Sequence, residues 1–358
     1  MKILGIETSC DETGLAILEA DGGLKAPRFR VEKSLVASQI KIHQPYGGVV
    51  PGLAKREHLK NLPVLYKKMF GPEGSEAEKK LWSEIDLITV TVGPGLEPAL
   101  WTGIEFAKAL AKKWKKPLVG ANHLEGHLYS FLLPSRSSTA YSSALLKKPA
   151  FPAVALIVSG GHTILLHMDS FSKWTRLGET RDDATGEAYD KVARLLDLPY
   201  PGGPEIEKLS AKGNSFAVTF PRPMLHEKNY DFSFSGLKTA VLYYLRDFTR
   251  DKKRQPNARE RADIAAGFEQ AAIDVLVAKA KRAAQEYGAE SILLSGGVAA
   301  NKHLRKALTR AASLVNAQCF VPDFKYNLDN AAMVAAAGWF AYLRKKKYPL
   351  KANGALDI

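Results

Sequence analysis

The chain has 358 residues, 46% hydrophobic and 25% charged, a balance that suits two globular domains of ordinary size and excludes a disordered or low-complexity chain. No run approaches the roughly 18 uninterrupted apolar residues of a membrane helix, and Cys10 and Cys319 alone cannot make a disulfide framework. Lys and Arg total 51 against 37 Asp and Glu, a formal charge of +14, so the expected macromolecular partner is a polyanion, nucleic acid above all, and not a membrane.

The opening Met1-Lys2-Ile3-Leu4-Gly5-Ile6 runs directly into a strand pattern with no basic or long apolar leader, which gives the expectation of a cytoplasmic protein. Strands are predicted at Ile3 to Glu7, Gly14 to Glu19 and Arg28 to Ser38, with a turn at Asp21-Gly22-Gly23. A helix is predicted over Lys55 to Phe70, where Leu59, Leu62, Leu65 and Met69 recur near the helical period, and a break over Gly71 to Lys80. A strand at Asp86 to Val92, a helix at Pro98 to Trp114 and a short strand at Pro117 to Gly120 complete the first half. The Ser-rich stretch from Pro134 to Phe151 reads as a joining loop. The second half repeats the order, with strands at Ala153 to Val158, Thr163 to Met168 and Trp174 to Glu179 and a helix at Thr185 to Leu196. After further helical material, interrupted at Arg250 to Arg261, come a strand at Ser291 to Leu294, a helix at Asn301 to Leu314, a strand at Gln318 to Val321 and a helix from Asp329 onward.

Three consecutive strands opening each half exclude strict βαβ alternation and favour an α/β fold of duplicated βββαβα halves, with ligands expected in an interdomain cleft. The expected domains are 1–133, a joining loop at 134–151, 152–346 with a helical insertion around 205–287, and a tail at 347–358 whose approach includes the basic run Arg344-Lys345-Lys346-Lys347.

Asn122-His123-Leu124-Glu125-Gly126-His127 sets two imidazoles four residues apart, on one face if the segment is helical, which is a spacing that can offer both rings to one divalent ion. A zinc protease of the His-Glu-x-x-His kind needs its base directly after the first His, and Leu124 stands there with Glu125 one step late. Asp329, before the apolar Ala331-Ala332-Met333-Val334-Ala335, reads either as a helix cap or as the carboxylate of a two-His, one-acid ion site with open positions.

Two Ser-Gly-Gly turns, at Val158 to Thr163 and Leu294 to Val298, follow strands and are able to bring backbone N–H groups to an anion, although either could simply turn the chain. A third turn, Glu7 to Gly14, offers Thr8, Ser9, Asp11 and Glu12 as candidates to position a phosphate or its cation, with Asp11 and Gly14 equally at home in a hairpin. Asp182 and Asp183 suit the first turn of a helix, whereas Asp190 lies deeper and could accept from a ligand hydroxyl or amine.

Together these stretches resemble the TsaD family of tRNA threonylcarbamoyladenosine transferases, once described as glycoproteases. The resemblance runs in order from Gly5-Ile6-Glu7-Thr8-Ser9-Cys10-Asp11-Glu12-Thr13 through Gly93-Pro94-Gly95, the His123 and His127 pair, Val158 to Thr163, Gly186 to Lys191 and Pro201-Gly202-Gly203-Pro204. It continues through Ser233 to Thr239, closest to the bacterial or organellar branch, and Ser295 to Asn301, ending at Asp329-Asn330.

The resemblance implies an actin-like, sugar-kinase-like fold and transfer of threonylcarbamoyl from threonylcarbamoyl-AMP to N6 of adenosine 37 in tRNAs that read codons beginning with A. It implies His123, His127 and Asp329 as ligands of one metal ion, iron(II) above zinc or another divalent ion. Ile157, Val158, Ser159, Gly160, Gly161, Asp190, Gly203 and Asn301 match its substrate-binding positions; Glu207 falls where many relatives carry Asp or a small polar residue. A TsaB-like paralogous subunit and a small TsaE-like P-loop ATPase are the implied helpers. No general base can be named. The competing expectations are a small-molecule kinase or ATPase on the same fold, a metallopeptidase, and a non-catalytic paralogous subunit.

Overall fold

The computed structural model describes residues 1–134 and 149–358, so the expected joining loop falls, apart from its ends, outside the described residues. Two compact units make up the chain, Met1–Lys148 with Pro322–Ile358, and Pro149–Val321.

In the first unit, β1 (Lys2–Glu7), β2 (Glu12–Asp21) and β3 (Arg28–Ser38) form an antiparallel meander. Short α1 (Ile40–His43), long α2 (Pro51–Phe70) and α3 (Glu76–Glu84) precede β4 (Leu87–Gly93), which runs parallel to β1. Then α4 (Glu97–Trp114) leads to β5 (Leu118–Asn122), parallel to β4, and to α5 (His123–Tyr129); the sheet order is β3-β2-β1-β4-β5. One face of the sheet packs on α2 and α4 through Leu4, Ile6, Leu62, Leu65, Leu100 and Ile104.

The second unit repeats the plan. Its strands are β6 (Ala153–Val158), β7 (Thr163–Ser170), β8 (Lys173–Glu179), β9 (Ser291–Ser295) and β10 (Gln318–Phe320), in the order β10-β9-β6-β7-β8. Antiparallel β6-β7-β8 and parallel β6-β9-β10 correspond strand for strand to β1-β2-β3 and β1-β4-β5. Its helices are α6 (Thr185–Leu195), α7 (Gly202–Ser210), α8 (Ser235–Lys252), α9 (Ala258–Glu286) and α10 (Lys302–Ser313). The capping box of Asn257 and Glu260 starts α9, whose Phe268, Val275 and Leu276 enter the core.

The predicted order of strands is found in both halves, with two departures. Within the expected break at Gly71 to Lys80, α3 begins: Ser75 caps it by accepting from Glu78 N, and Trp82 is buried, stacked between Phe70 at 4.9 Å and Trp114 at 5.3 Å. Its single turn of core contact is too short to print a helical period on the sequence. The other departure concerns the expected boundary at residue 346. Residues from Pro322 onward fold with the first unit, because α11 (Ala331–Leu343) packs on β1, β2, β5 and α5. The approach is close: a Cβ on Gly5 would lie 2.1 Å from the Ala331 carbonyl oxygen, and one on Gly338 2.2 Å from the Thr89 methyl. Among the described residues no helix is long and apolar enough to cross a membrane; α11 is apolar because it is a core helix.

Candidate metal centre

The carboxyl ends of β1 and β5 and the start of α11 converge in the first unit. Asn122 ends β5 and caps α5, its Oδ1 accepting from Leu124 N at 2.8 Å and Glu125 N at 3.3 Å. The helix it starts carries His123 and His127 on one face, their ring centroids 4.7 Å apart. Asp329 joins them: its Oδ1 lies 3.4 Å from His123 Nε2 and 3.2 Å from His127 Nε2. The capping alternative for Asp329 is resolved by its neighbour, since Asn330 caps α11 by accepting from Met333 N at 3.0 Å. That leaves the Asp329 carboxylate for the imidazoles.

One ligand atom from each of the three residues lies within 4.8 Å of the others. Two donors bonded at ~2.1 Å to one ion, at tetrahedral or octahedral angles, stand ~3.0–3.4 Å apart, so both Asp329 separations fit a shared cation. Both nitrogens of buried His127 lack a hydrogen-bond partner, and its close approach to Asp329 is misaligned for a hydrogen bond. A buried imidazole is costly in that state, and a cation shared with Asp329 would give His127 Nε2 a partner.

Glu7, at the end of β1, completes the arrangement. Its Oε2 accepts from Thr91 Oγ1 at 2.7 Å and from His123 Nδ1 at 3.2 Å, and its Oε1 accepts from Ser9 N. With Nδ1 turned to Glu7, Nε2 of His123 faces Asp329 and is the atom that could be offered to an ion, the arrangement of a carboxylate–histidine–metal triad. Electrostatics agree with a cation site. Burial disfavours charge on His123, yet Asp329 and Glu7 hold its pKa well above the ordinary value, while burial keeps that of His127 low. Burial would raise Asp329, but His123 and His127 pull it far below the carboxylate range. Glu12 is pushed up by burial, Asp11 and Asp329.

The expected phosphate turn has a different use for some of its residues. Thr8 is buried and donates its hydroxyl to Ala99 O at 3.0 Å, and Ser9 Oγ lies 3.2 Å from His123 Nδ1. Buried His58 braces the same turn through Thr13 Oγ1 at 2.8 Å and the Cys10 carbonyl at 3.0 Å. Asp11 and Glu12 are buried beside one another, with Glu12 accepting from Ser38 Oγ. Glu125 is bonded to Arg344, Lys346 and Tyr348, which commits the acid between the two histidines away from any role as a peptidase base.

In the second unit the two Ser-Gly-Gly turns lie at the carboxyl ends of adjacent parallel strands, Ile157 being paired with Ser295. They are not equivalent. Gly160 and Gly161 are exposed, and a Cβ on either would meet nothing within 4 Å. Gly296 instead sits against β6, where a Cβ would fall 2.3 Å from the Val158 carbonyl oxygen. The start of α10 is also occupied: Lys302 N donates to Glu207 Oε1 at 2.9 Å and Leu304 N to Asn301 Oδ1 at 2.8 Å. The anion logic therefore suits the first turn, and the second is a packing device.

The remaining predicted positions adjoin that open turn through α6 and α7. Ile157 and Val158 are fully buried within β6, so they back the open turn and present no surface of their own. Gly186 of α6 abuts Ser159 and Gly160, and Asp190, one turn on, accepts from Gly202 N at 2.7 Å. Gly203 is open. Asn301 donates to buried Glu269 at 2.6 Å, and Glu269 also accepts from Ser210 Oγ at 2.5 Å. Asp182 serves the N-terminus of a different helix from the one it precedes: it accepts from Ser233 Oγ, Ser235 Oγ and Phe234 N at 2.6–2.8 Å, and so holds the start of α8. Glu7, Glu125 and Glu269 were invisible as site residues in sequence; the one available signal was an acid ending the first strand or enclosed by the histidine pair.

Comparison with known proteins agrees in kind. The family model described as TsaD, tRNA N6-adenosine threonylcarbamoyltransferase, matches residues 30–336. Proteins of that name from Moorella thermoacetica and Thermosipho africanus are 46% identical over 357 residues and 45% identical over 342 residues. These matches cover 100% and 96% of this chain and 96% and 94% of the relatives. Among solved structures, HypF from T. kodakarensis is similar with a TM-score of 0.56 at 15% identity, over 97% of this chain and 49% of that one. Full-length HypF in its phosphate- and nucleotide-bound form gives 0.54 at 13%, over 98% and 47%. The chain spans about half the length of those solved chains, and at such identity they speak for the actin-like α/β fold alone.

Proposed function

The chain belongs to the TsaD family of tRNA N6-adenosine threonylcarbamoyltransferases, and from that premise we infer that it is an acyltransferase that places a threonylcarbamoyl group on N6 of an adenosine in tRNA. The donor is threonylcarbamoyl-AMP and the acceptor adenosine 37, beside the anticodon, where a loop base can be splayed out without breaking a long duplex. N6 attacks the carbamoyl carbon, a C–N bond forms, the carbonyl–phosphate C–O bond breaks, N6 loses a proton and AMP leaves. An aromatic amine is a weak nucleophile, so positioning and charge stabilisation supply most of the acceleration.

The observation that carries this reading is the His123, His127 and Asp329 cluster with its orphaned imidazole nitrogens. These three residues would hold one divalent cation, iron(II) in our reading, which when bound supplies a Lewis acid for the donor's oxygens. Glu7 fixes the tautomer and direction of His123. The open Gly160-Gly161 backbone of the turn that Ser159 begins receives the adenylate phosphate, while Asp190, Gly203, Glu207 and Asn301 border the nucleoside. Lys and Arg in excess attract the tRNA backbone. A TsaB-like paralogue and a TsaE-like ATPase are the proposed helpers, and the cytoplasm the proposed compartment.

The test is reconstitution with threonylcarbamoyl-AMP and unmodified tRNA, with and without the helpers, read by nucleoside analysis. The native chain is expected to form threonylcarbamoyladenosine and His123→Ala to form none. Equal product from both would refute the assignment.

A further inference from the structure

Helix α5 has seven residues, too few to hold its own geometry in water, so the spacing of His123 and His127 relative to Asp329 must be set by what grips it. The largest share of that grip comes from the segment that follows Asp329. Gly126 lies under Met333, where a Cβ would come within 3.1 Å of the side chain. Tyr129 stacks on Phe340 at 3.9 Å. Asn122, the cap of α5, donates Nδ2 to the Asp357 carbonyl at 2.8 Å. Between the two histidines, Glu125 is fully buried and its carboxylate takes Arg344, Tyr348 and, at 3.2 Å, Lys346. The segment beyond α11 is itself held to β4, with Asn353 N donating to Val92 O at 2.9 Å. The basic run that reads as a charged approach to a free tail is thus partly committed inward.

We propose that Glu125, with Arg344 and Tyr348, is the positioning cluster that sets the distance between the paired imidazoles and Asp329, so that affinity for the cation depends on a carboxylate that never touches it. The inference rests on the reading of His123, His127 and Asp329 as a metal centre. A carboxylate with an aligned guanidinium and phenol is directional, and it ties the helix bearing two ligands to the segment that follows the third. Glutamine keeps the size of Glu125 but loses its charge and half of its acceptor capacity.

The experiment titrates cobalt(II) into the metal-free full chain and follows its visible absorption, alongside thermal unfolding. The native chain is expected to bind one equivalent, Glu125→Gln to bind about 10–100-fold more weakly, and Tyr348→Phe a few-fold more weakly. Glu125→Gln also strands a buried guanidinium, which lowers stability for a reason unrelated to the metal. The double variant Glu125→Gln/Arg344→Gln removes that burden, and should regain unfolding temperature without regaining cobalt affinity. Unchanged affinity in folded Glu125→Gln and Tyr348→Phe, beside normal native binding, would overturn this inference alone; so would affinity that returns with stability in the double variant. If Glu125→Gln does not fold, Tyr348→Phe and the double variant decide by the same criteria. No cobalt binding by the native chain would overturn the metal reading and this inference together.

Discussion

The ends of β1 and β6 occupy the same place in two sheets of identical strand order, yet they carry opposite chemistry. From the end of β1 to the start of β2 the chain buries Glu7, Ser9, Asp11 and Glu12, and two histidines and an aspartate come from other elements of the same unit. After β6 it exposes Gly160 and Gly161, with no side chain to obstruct an approaching ligand. A backbone plan that ends parallel strands beside one another makes a socket. What fills it, acids and imidazoles for a cation or bare N–H groups for an anion, is decided by a handful of side chains. The second strand of each parallel pair shows the same economy: Gly93 and Gly296 are both spent on close backbone contact, against Asn353 and Val158.

The comparison breaks most visibly at Asp329. Asp329→Ala is expected to remove the metal and to lower product formation by about 1,000-fold or more, the scale of several kcal/mol of lost charge stabilisation. AMP binding, assigned to the second unit, should persist when measured by calorimetry; loss of both would mean the two sockets are not separable. Next is Gly296→Ala, where a backbone at φ 92° and a carbonyl 2.3 Å from the new Cβ should cost about 2–4 kcal/mol in denaturant unfolding. Glu7→Gln should weaken metal binding about 10–100-fold with little change in AMP affinity, because it loosens His123 without removing a ligand. Smallest is Gly160→Ala. With open space around it, the variant should unfold within about 0.5 kcal/mol of native while its KM for the adenylate donor rises several-fold, and an unchanged KM would remove that turn from the donor site.

Much of this is legible in the sequence alone, for local reasons. Alternation in β3 and an unbroken apolar run in β6 located those strands to the residue, and the i, i+4 spacing of His123 and His127 needs only one helical turn to acquire meaning. What stayed hidden is non-local. Asp329 and Asn330 are equally good caps on paper, and only the direction in which α11 leaves them shows which one is free for the imidazoles. The return of α11 to the first sheet is written in Gly5 and Gly338, small residues whose partners are hundreds of positions away. Glu125 looked misplaced by one residue for a peptidase because its partners, Arg344 and Tyr348, lie beyond any local window. The two Ser-Gly-Gly turns read alike until one is found open and the other packed.

The most direct measurement is an anomalous-scattering map at the iron edge, from crystals of the full chain loaded anaerobically with iron(II). One peak per chain, bonded to His123 Nε2, His127 Nε2 and Asp329 Oδ1, is the predicted result. A peak elsewhere, or none under conditions in which the enzyme forms threonylcarbamoyladenosine, would contradict it.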